Sequence, residues 1–156
     1  MIKFFSNTIL HELADKAKNV DRLRSHLNVH ETLDASVQRL FIATEPDTYM
    51  RPHRHPQSHK WEFFIVLEGE IDLLIFNEEG QLIQRSKMSD SDVRAVEIPP
   101  ETWHAYVCQR SATLALEVKE GAYIPTPEED FAPWSPVEGS VEAVEYLQWM
   151  RAAQPA

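Results

Sequence analysis

The sequence is poor in cysteine, in glycine and in long apolar runs, and each shortage excludes a class of protein. Its 156 residues include one cysteine, Cys108, so no disulfide can form within the chain. Four glycines leave little room for a glycine-rich phosphate loop, and no GxGxxG motif is present. The longest apolar run, FFIVL, is far shorter than a membrane span of about 20 residues. With no signal-peptide cleavage site at the N-terminus, these features predict a cytoplasmic protein.

Lysine and arginine are also scarce: 15 of them face 25 aspartates and glutamates, for a formal net charge of −10. Nucleic-acid binding is not expected, because a phosphate backbone requires clustered cations. The cations are nevertheless uneven, since Arg51, Arg54 and Lys60 stand beside three histidines in RPHRHPQSHK (51–60). This local patch favours a small anionic ligand as partner. Solvated cations flanking a loop are an equally good interpretation.

The apolar pattern changes twice along the chain. Residues 7–27 carry apolar side chains at helical spacing and predict a helix capped by Asn7. Short alternating runs separated by turn signals then predict strands, which is typical of an antiparallel sandwich or barrel. The predicted strands are 37–44, 61–69, 71–77, 82–86, 93–99, 103–108 and 112–119.

A proline-rich stretch follows Gly121, and an amphipathic helix is predicted over about 140–152, with Val144, Leu147 and Met150 on one stripe. Neither end has an apolar face that it could bury alone. We therefore expect one domain in three parts. These are a helical N-terminal segment (1–34), a β core (35–121), and a proline-rich strap with the C-terminal helix (122–156).

Four residues in the β core suggest a metal site. His53 and His55 point to the same side of an extended chain, and Pro52 keeps that chain extended. Glu62 would lie beside them if 53–55 paired antiparallel with 62–68, with Gly69 at the next hairpin. His104, from a distant strand, is the candidate for the last ligand. The alternative is that these are loop histidines without a metal.

The order of these residues resembles the paired motifs of the cupin superfamily: H-x-H, a glutamate, six residues and a glycine, and later P-x4-H. Further similarity is to the WbuC-type cupin metalloproteins, over about residues 28–139. It lies in QRLFIA, YMRPHRHPQSHKWEFFIVLEGE, IPPETWH, EVKEGAY and FAPWSP.

The resemblance implies an all-β core, a cupin (double-stranded β-helix or jelly-roll) barrel, with helical segments at both ends. It implies His53, His55, Glu62 and His104 as ligands of one divalent metal near the open end of the barrel. It also implies a role in bacterial polysaccharide (O-antigen) metabolism. A homodimer is expected by analogy with other cupins.

The sequence departs from the cupin pattern at three positions. Six residues separate His55 from Glu62, where three or four are usual, so His59 remains an alternative ligand. We prefer Glu62, because its spacing to Gly69 fits the pattern. Glu101 stands where glycine is usual, and Cys108 stands where asparagine is usual.

Three imidazoles and one carboxylate suit Zn, Ni, Cu, Fe or Mn without selecting among them. Four ligands on one side of an ion leave positions open to water or substrate, which is typical of reactive sites. One hypothesis is therefore a metal-dependent enzyme acting on a sugar or sugar-derived acid, of isomerase or oxygenase type. The other is a non-catalytic module that binds metal and a small ligand.

Other side chains are candidates for holding such a ligand, each with a plainer alternative. Arg51, Lys60 and Lys119 could hold an anion near the metal, although ordinary salt bridges explain them as well. Tyr106 could line the pocket and Tyr123 could form part of a lid.

Two further residues, Cys108 and His30, could lie near the pocket. Cys108, like Tyr106, follows His104 on the same face and could line the pocket, but core packing is favoured for both. Cys108 would need a depressed pKa to act as a nucleophile. His30 could approach the pocket, but a surface position is favoured.

Overall fold

The computed structural model describes residues 1–155 as two helices, eight strands and one 3₁₀ turn. The helices are α1 (Asn7–Lys18) and α2 (Val141–Ala152), and the turn is Glu128–Asp130. The strands are β1 (Arg24–Asn28), β2 (Val37–Thr44), β3 (Glu62–Glu68), β4 (Glu70–Phe76), β5 (Leu82–Ser89), β6 (Ala95–Ile98), β7 (Trp103–Cys108) and β8 (Thr113–Glu120). Neither helix in this range is long and apolar enough to cross a membrane.

The strands form two antiparallel sheets, one of five strands in the order β1-β2-β8-β3-β6 and one of three in the order β5-β4-β7. Side chains of both sheets share a buried apolar cluster that includes Ile42, Phe64, Ile71 and Met88. The fold is therefore a two-sheet β sandwich with a helix at each end, as predicted. The bounds of β2 and β7 are those expected from the sequence.

The predicted helix 7–27 is too long, because α1 ends at Lys18. Ser6, rather than Asn7, caps α1 through its side chain, and Leu23 has a left-handed backbone (φ 53°). Residues 24–28 then form β1, which pairs with β2. Leu23 and Leu27 suggested a helix because they are four residues apart. Leu27 instead belongs to β1, which the left-handed Leu23 precedes, because β2 is available there as a partner strand.

Gly69 does not turn a hairpin, because β3 and β4 belong to different sheets. It stands at the corner where the chain crosses from one sheet to the other, with φ 96°. A Cβ atom at this position would collide with Thr113. Glycine is thus required here both by backbone conformation and by the close approach of β8.

Both helices pack on the sandwich. Leu13, Ala14 and Ala17 of α1 lie against Ala43 and Leu114 in one buried cluster. In a second cluster, α2 packs on the three-stranded sheet through Ala143, Leu147 and Met150. Val144 is exposed, so the predicted stripe on this helix is shifted by one residue.

The strap, residues 122–140, runs along the segment that carries His53 and His55. Arg54 donates its backbone N–H to the Asp130 carbonyl at 2.9 Å, and Ala132 donates to the Pro52 carbonyl at 2.9 Å. These bonds place the strap beside the histidines.

The far end of the strap is held by side chains. The Tyr49 hydroxyl donates to the Pro136 carbonyl. The guanidinium groups of Arg22 and Arg24 bind the Glu138 carboxylate at 2.8–2.9 Å.

Candidate metal centre

The four predicted ligands come from both sheets and from the loop between β2 and β3. Glu62 is the first residue of β3 and His104 the second residue of β7. The backbones of His53 and His104 exchange two hydrogen bonds of 3.0 Å. The predicted pairing of 53–55 with 62–68 is therefore wrong, since β3 pairs with β6 and β8. The histidine segment pairs with β7 instead, which brings His53 beside His104.

The side chains of these four residues converge on one point. One nitrogen or oxygen of each lies within 4.8 Å of the corresponding atom of every other. His55 Nε2 is 3.2 Å from Glu62 Oε2, and His104 Nε2 is 3.8 Å from the same oxygen. His59 is exposed and stands outside this cluster. The structure thus brings together the set that contains Glu62 rather than His59.

Backbone carbonyls orient two of the imidazoles. His53 Nδ1 lies 3.1 Å from the Arg51 carbonyl, and His104 Nδ1 lies 2.8 Å from the Thr102 carbonyl. A carbonyl can only accept, so both rings carry their hydrogen on Nδ1 and present the Nε2 lone pair to the centre. His104 Nε2 is buried and has no hydrogen-bond partner among the described residues. A buried lone pair without a hydrogen-bond partner, close to three other potential ligand atoms, fits a metal ion.

The electrostatics of Glu62 and His53 favour the forms that bind metals, whereas, although burial opposes it, Glu62 raises the pKa of His104. Burial alone would raise the pKa of Glu62, but His104, His55 and Lys119 together hold it well below its usual value. Burial, helped by His104 and His55, lowers the pKa of His53 far below its usual value. The cluster therefore contains an ionised carboxylate and a neutral imidazole, as metal coordination requires.

A cavity of about 600 Å³ opens beside the cluster and is lined by the five-stranded sheet, by β7 and by the strap. Such a volume is ordinary for a site that holds a small molecule. Four cationic side chains and three carboxylates line it: Arg22, Arg24, Arg51, Lys119, Glu62, Glu117 and Glu138.

The residues proposed for anion binding are placed differently from one another. Lys119 lines the cavity, with Nζ 2.8 Å from Glu117 Oε1 and 3.9 Å from Glu62 Oε2. Arg51 also lines it, but its guanidinium is paired with Glu128 at 2.9 Å. Lys60 is buried and is not part of the wall that the described residues form. Lys119 is therefore the best placed of the three.

Tyr106 and Tyr123 both line the cavity. Tyr106 is buried on β7, two residues after His104 and on the same face, whereas Tyr123 is half-exposed at the start of the strap. Cys108 is 1% exposed and its sulfur lies near the carbonyls of Thr44 and Arg110. Burial raises the pKa of its thiol to about 11, so Cys108 is a packed side chain rather than a nucleophile.

The sequence did not predict that His30, Glu117 and Arg24 line the cavity. His30 is buried in the cavity wall at 6% exposure, so its expected surface position is wrong. Glu117 is on β8 two residues before Lys119, and this period-two spacing is a signal that could have identified it. Arg24 carried no such signal, because it was assigned to a helix that ends before it.

Solved structures with the same fold include KdgF from Halomonas sp., CapF in complex with 3-isopropenyl-tropolone, and the oxalate decarboxylase of Bacillus subtilis with its Mn(II) centres. KdgF matches with a TM-score of 0.51 and 18% identity over 64% of this chain and 80% of its own. CapF gives 0.57 and 20% over 69% of this chain, and the decarboxylase gives 0.50 and 14% over 65%. This chain spans only 30% and 26% of those two longer proteins.

These likenesses establish the cupin-like fold. No curated protein matches the sequence. One family model, described as a domain of unknown function (DUF6016), matches residues 5–88, from the N-terminal helix through β5. That span covers more than half of the chain and includes three of the four clustered residues, so the protein belongs to the DUF6016 family.

Proposed function

We propose that this protein binds one divalent transition metal through His53, His55, Glu62 and His104, and holds a small anionic molecule beside it. The observation that carries the proposal is the convergence of four ligand atoms within 4.8 Å, with His104 Nε2 buried and unpaired. When bound, the metal would supply a Lewis acid with open coordination positions. Zn, Fe, Mn and Ni all suit these ligands, and Mn(II) is the metal of the decarboxylase with the same fold.

The charge of the cavity wall supports an anionic ligand. The chain as a whole is strongly acidic, yet cations outnumber carboxylates in the wall even before the charge of a metal is added. Because these cations are ion-paired, the charge of a bound metal would supply most of the attraction for an anion. Oxalate decarboxylase is named for a small carboxylate, so an acid of small size is a reasonable first ligand class.

Within that class we favour a sugar-derived acid of bacterial polysaccharide metabolism. The support is the similarity of residues 28–139 to WbuC-type cupins, together with a cavity large enough for a monosaccharide. The homodimer expected from that similarity stays a prediction.

Metal content tests the first half of the proposal. The purified protein should contain about one equivalent of a transition metal by elemental analysis. His55→Ala and His104→Ala should each lose most of it, since removing even a hydrogen-bond partner of a ligand often costs about 10- to 100-fold in affinity. His11→Ala is the matched control, because His11 is exposed on α1 and outside the cluster.

A second pair of variants identifies the remaining ligand. Glu62→Gln should lose the metal, whereas His59→Ala should retain it. The opposite result would assign the position to His59. Undiminished metal in both His55→Ala and His104→Ala would show that the ion binds elsewhere.

Catalysis, rather than binding alone, is favoured by one observation. Glu117 lines the cavity next to Lys119, and burial together with the charge of Glu62 raises its pKa despite the opposing charge of Lys119. A carboxyl group with a raised pKa beside a metal site is a suitable general acid or base. The metal-loaded protein should then convert a sugar acid, detected by NMR, and Glu117→Gln should abolish turnover while retaining the metal. Saturable binding without any product would favour the non-catalytic module.

A further inference from the structure

Two buried polar atoms in the cavity wall have no hydrogen-bond partner among the described residues, apart from the metal-facing atom of His104. They are His30 Nε2 and Tyr106 Oη. Both side chains are 6% exposed and line the cavity. A buried polar group that stays unpaired costs free energy, so such groups commonly have a partner that a ligand-free structure lacks.

The hydrogen bonds of His30 determine which ring nitrogen carries the proton. Its Nδ1 lies 3.0 Å from the Arg39 backbone nitrogen and 2.9 Å from the Arg39 carbonyl. That carbonyl already accepts from Val29, whereas the Arg39 N–H needs an acceptor. Nδ1 therefore accepts, and the hydrogen of a neutral ring resides on Nε2. His30 offers an unpaired N–H donor to the cavity.

Tyr106 offers a second donor. Its ring packs against Phe64 with the centroids 5.7 Å apart, which fixes the direction of the hydroxyl. The Thr44 hydroxyl lies near Tyr106 Oη but outside hydrogen-bonding geometry, and neither oxygen has a partner among the residues that the structure describes. A phenol keeps its proton at neutral pH, so the group can donate.

The strand register places both donors at a distance from the metal cluster. Glu62 pairs with Lys119 and Lys119 pairs with Gln38, in neighbouring strands. His30 follows β1 by two residues, and its ring is bonded to the backbone of Arg39, the neighbour of Gln38 in β2. Three strand spacings separate the backbones of His30 and Glu62, roughly 14 Å. Tyr106 is two residues along β7 from His104, roughly 7 Å.

We infer that His30 and Tyr106 recognise the distal oxygen atoms of an elongated anionic ligand whose carboxylate lies at the metal end of the cavity. This inference rests on the proposed function, and it names the ligand class: a sugar acid or a comparable hydroxylated carboxylate of about six carbons. Two donors call for acceptor oxygens, and their separation from the cluster excludes a two-carbon acid as the full occupant. Lys119, between the cluster and His30, neutralises the carboxylate.

The test compares three probes on the metal-loaded protein by calorimetry. D-glucuronate has the carboxylate and the distal hydroxyls, glycolate has a carboxylate but is too short to reach the distal donors, and D-glucose has the hydroxyls without the charge. We expect the wild type to bind glucuronate more tightly than either of the others.

Two variants remove one donor each with little change in shape. Tyr106→Phe deletes the hydroxyl. His30→Asn keeps an acceptor for the Arg39 N–H, and its shorter amide cannot reach the position of Nε2. Each should lower the ratio of glucuronate to glycolate affinity about 3- to 10-fold, the usual effect of one neutral hydrogen bond. Metal content should stay that of the wild type.

Stability separates ligand recognition from a structural role. Because Tyr106 Oη is unpaired, Tyr106→Phe should leave the midpoint of thermal unfolding of the ligand-free protein unchanged or higher. Tyr49→Phe is the matched control, since the Tyr49 hydroxyl is bonded to Pro136 and stands outside the cavity wall. It should lower the midpoint and leave the affinity ratio unchanged.

The results also separate this inference from the proposed function. A wild type that binds no metal, or binds no probe when loaded, overturns the proposed function. A loaded wild type that binds glycolate as tightly as glucuronate overturns the inference alone. So does an affinity ratio that neither variant changes, or a loss of stability in Tyr106→Phe equal to that in Tyr49→Phe; fixed water would then satisfy these donors.

Discussion

Loading the four-residue cluster with a divalent metal should raise the temperature at which the protein unfolds. A ligand that binds only the native state stabilises it by about 2.7 kcal/mol when its free concentration is 100 times its dissociation constant. A chain of 156 residues has an unfolding entropy of about 0.33 kcal/mol/K at the midpoint. The expected increase is therefore about 8 °C, measured by differential scanning calorimetry with Zn²⁺ or Mn²⁺.

Removing one ligand should remove most of this increase. If His104→Ala weakens binding about 100-fold, the same free metal only equals its dissociation constant, and the stabilisation falls to about 0.4 kcal/mol. The midpoint should then rise by about 1 °C. The increase is measured from the midpoint of the metal-free variant, because the substitution also alters packing. His11→Ala should show the full increase of the wild type, since His11 stands outside the cluster.

Either of two results would refute the reasoning. An equal increase in wild type and His104→Ala would mean that the metal acts at other sites on the acidic surface. No increase in the wild type at millimolar metal would mean that the geometry of the cluster does not translate into affinity.

Three further predictions concern residues outside the cluster. Glu138→Gln should lower the free energy of unfolding by about 1–2 kcal/mol at pH 7. Although burial opposes it, bonding to Arg22 and Arg24 lowers the pKa of Glu138 to about 2, so the ion pairs stabilise above its ordinary pKa of 4.5. Denaturant titrations should show this gap shrinking as the pH falls from 4.5 towards 2; a constant gap would contradict it. Cys108 should react with a thiol reagent about 100-fold more slowly in the native protein than in denaturant, because its pKa is raised from 9.0 to about 11; equal rates would mean an exposed thiol. Glu101→Gly should raise the free energy of unfolding by about 1 kcal/mol, because Glu101 has a left-handed backbone (φ 63°); a loss would reveal a stabilising contact of its side chain.

The strands were largely predictable because their apolar runs are short and end at clear turn signals. The bounds of β2 and β7 follow directly from VQRLFIAT and WHAYVC. Failures occurred where two structures share one pattern. Leu27 fits a helix as well as a strand, and EGE around Gly69 fits a hairpin as well as a corner between sheets. Only the identity of the partner strand separates these cases, and a local pattern does not contain it.

The four-residue cluster was predictable for a different reason. The cupin order of His53, His55, Glu62 and His104 is a pattern of residues and spacings, and the structure brings the four together. The rest of the cavity depends on tertiary pairing. His30 reaches the wall because β1 adds to the edge of the five-stranded sheet, and that strand was itself not predicted. The places of Arg24 and His30 in the wall therefore could not be predicted, because β1 was assigned to a helix.

The strap has a consequence for the thermodynamics of the whole molecule. The histidine-bearing segment is bonded to β7 on one side and to the strap on the other, through His53 and Phe131, Arg54 and Asp130, and Pro52 and Ala132. A metal that fixes His53 and His55 therefore slows local opening of the strap, and the amide protons of Arg54 and Ala132 should exchange more slowly. Linkage makes this reciprocal: whatever tightens the strap must raise the affinity for the metal by the same factor. Loosening the chain after residue 128 would then release the ion without altering any of its ligands.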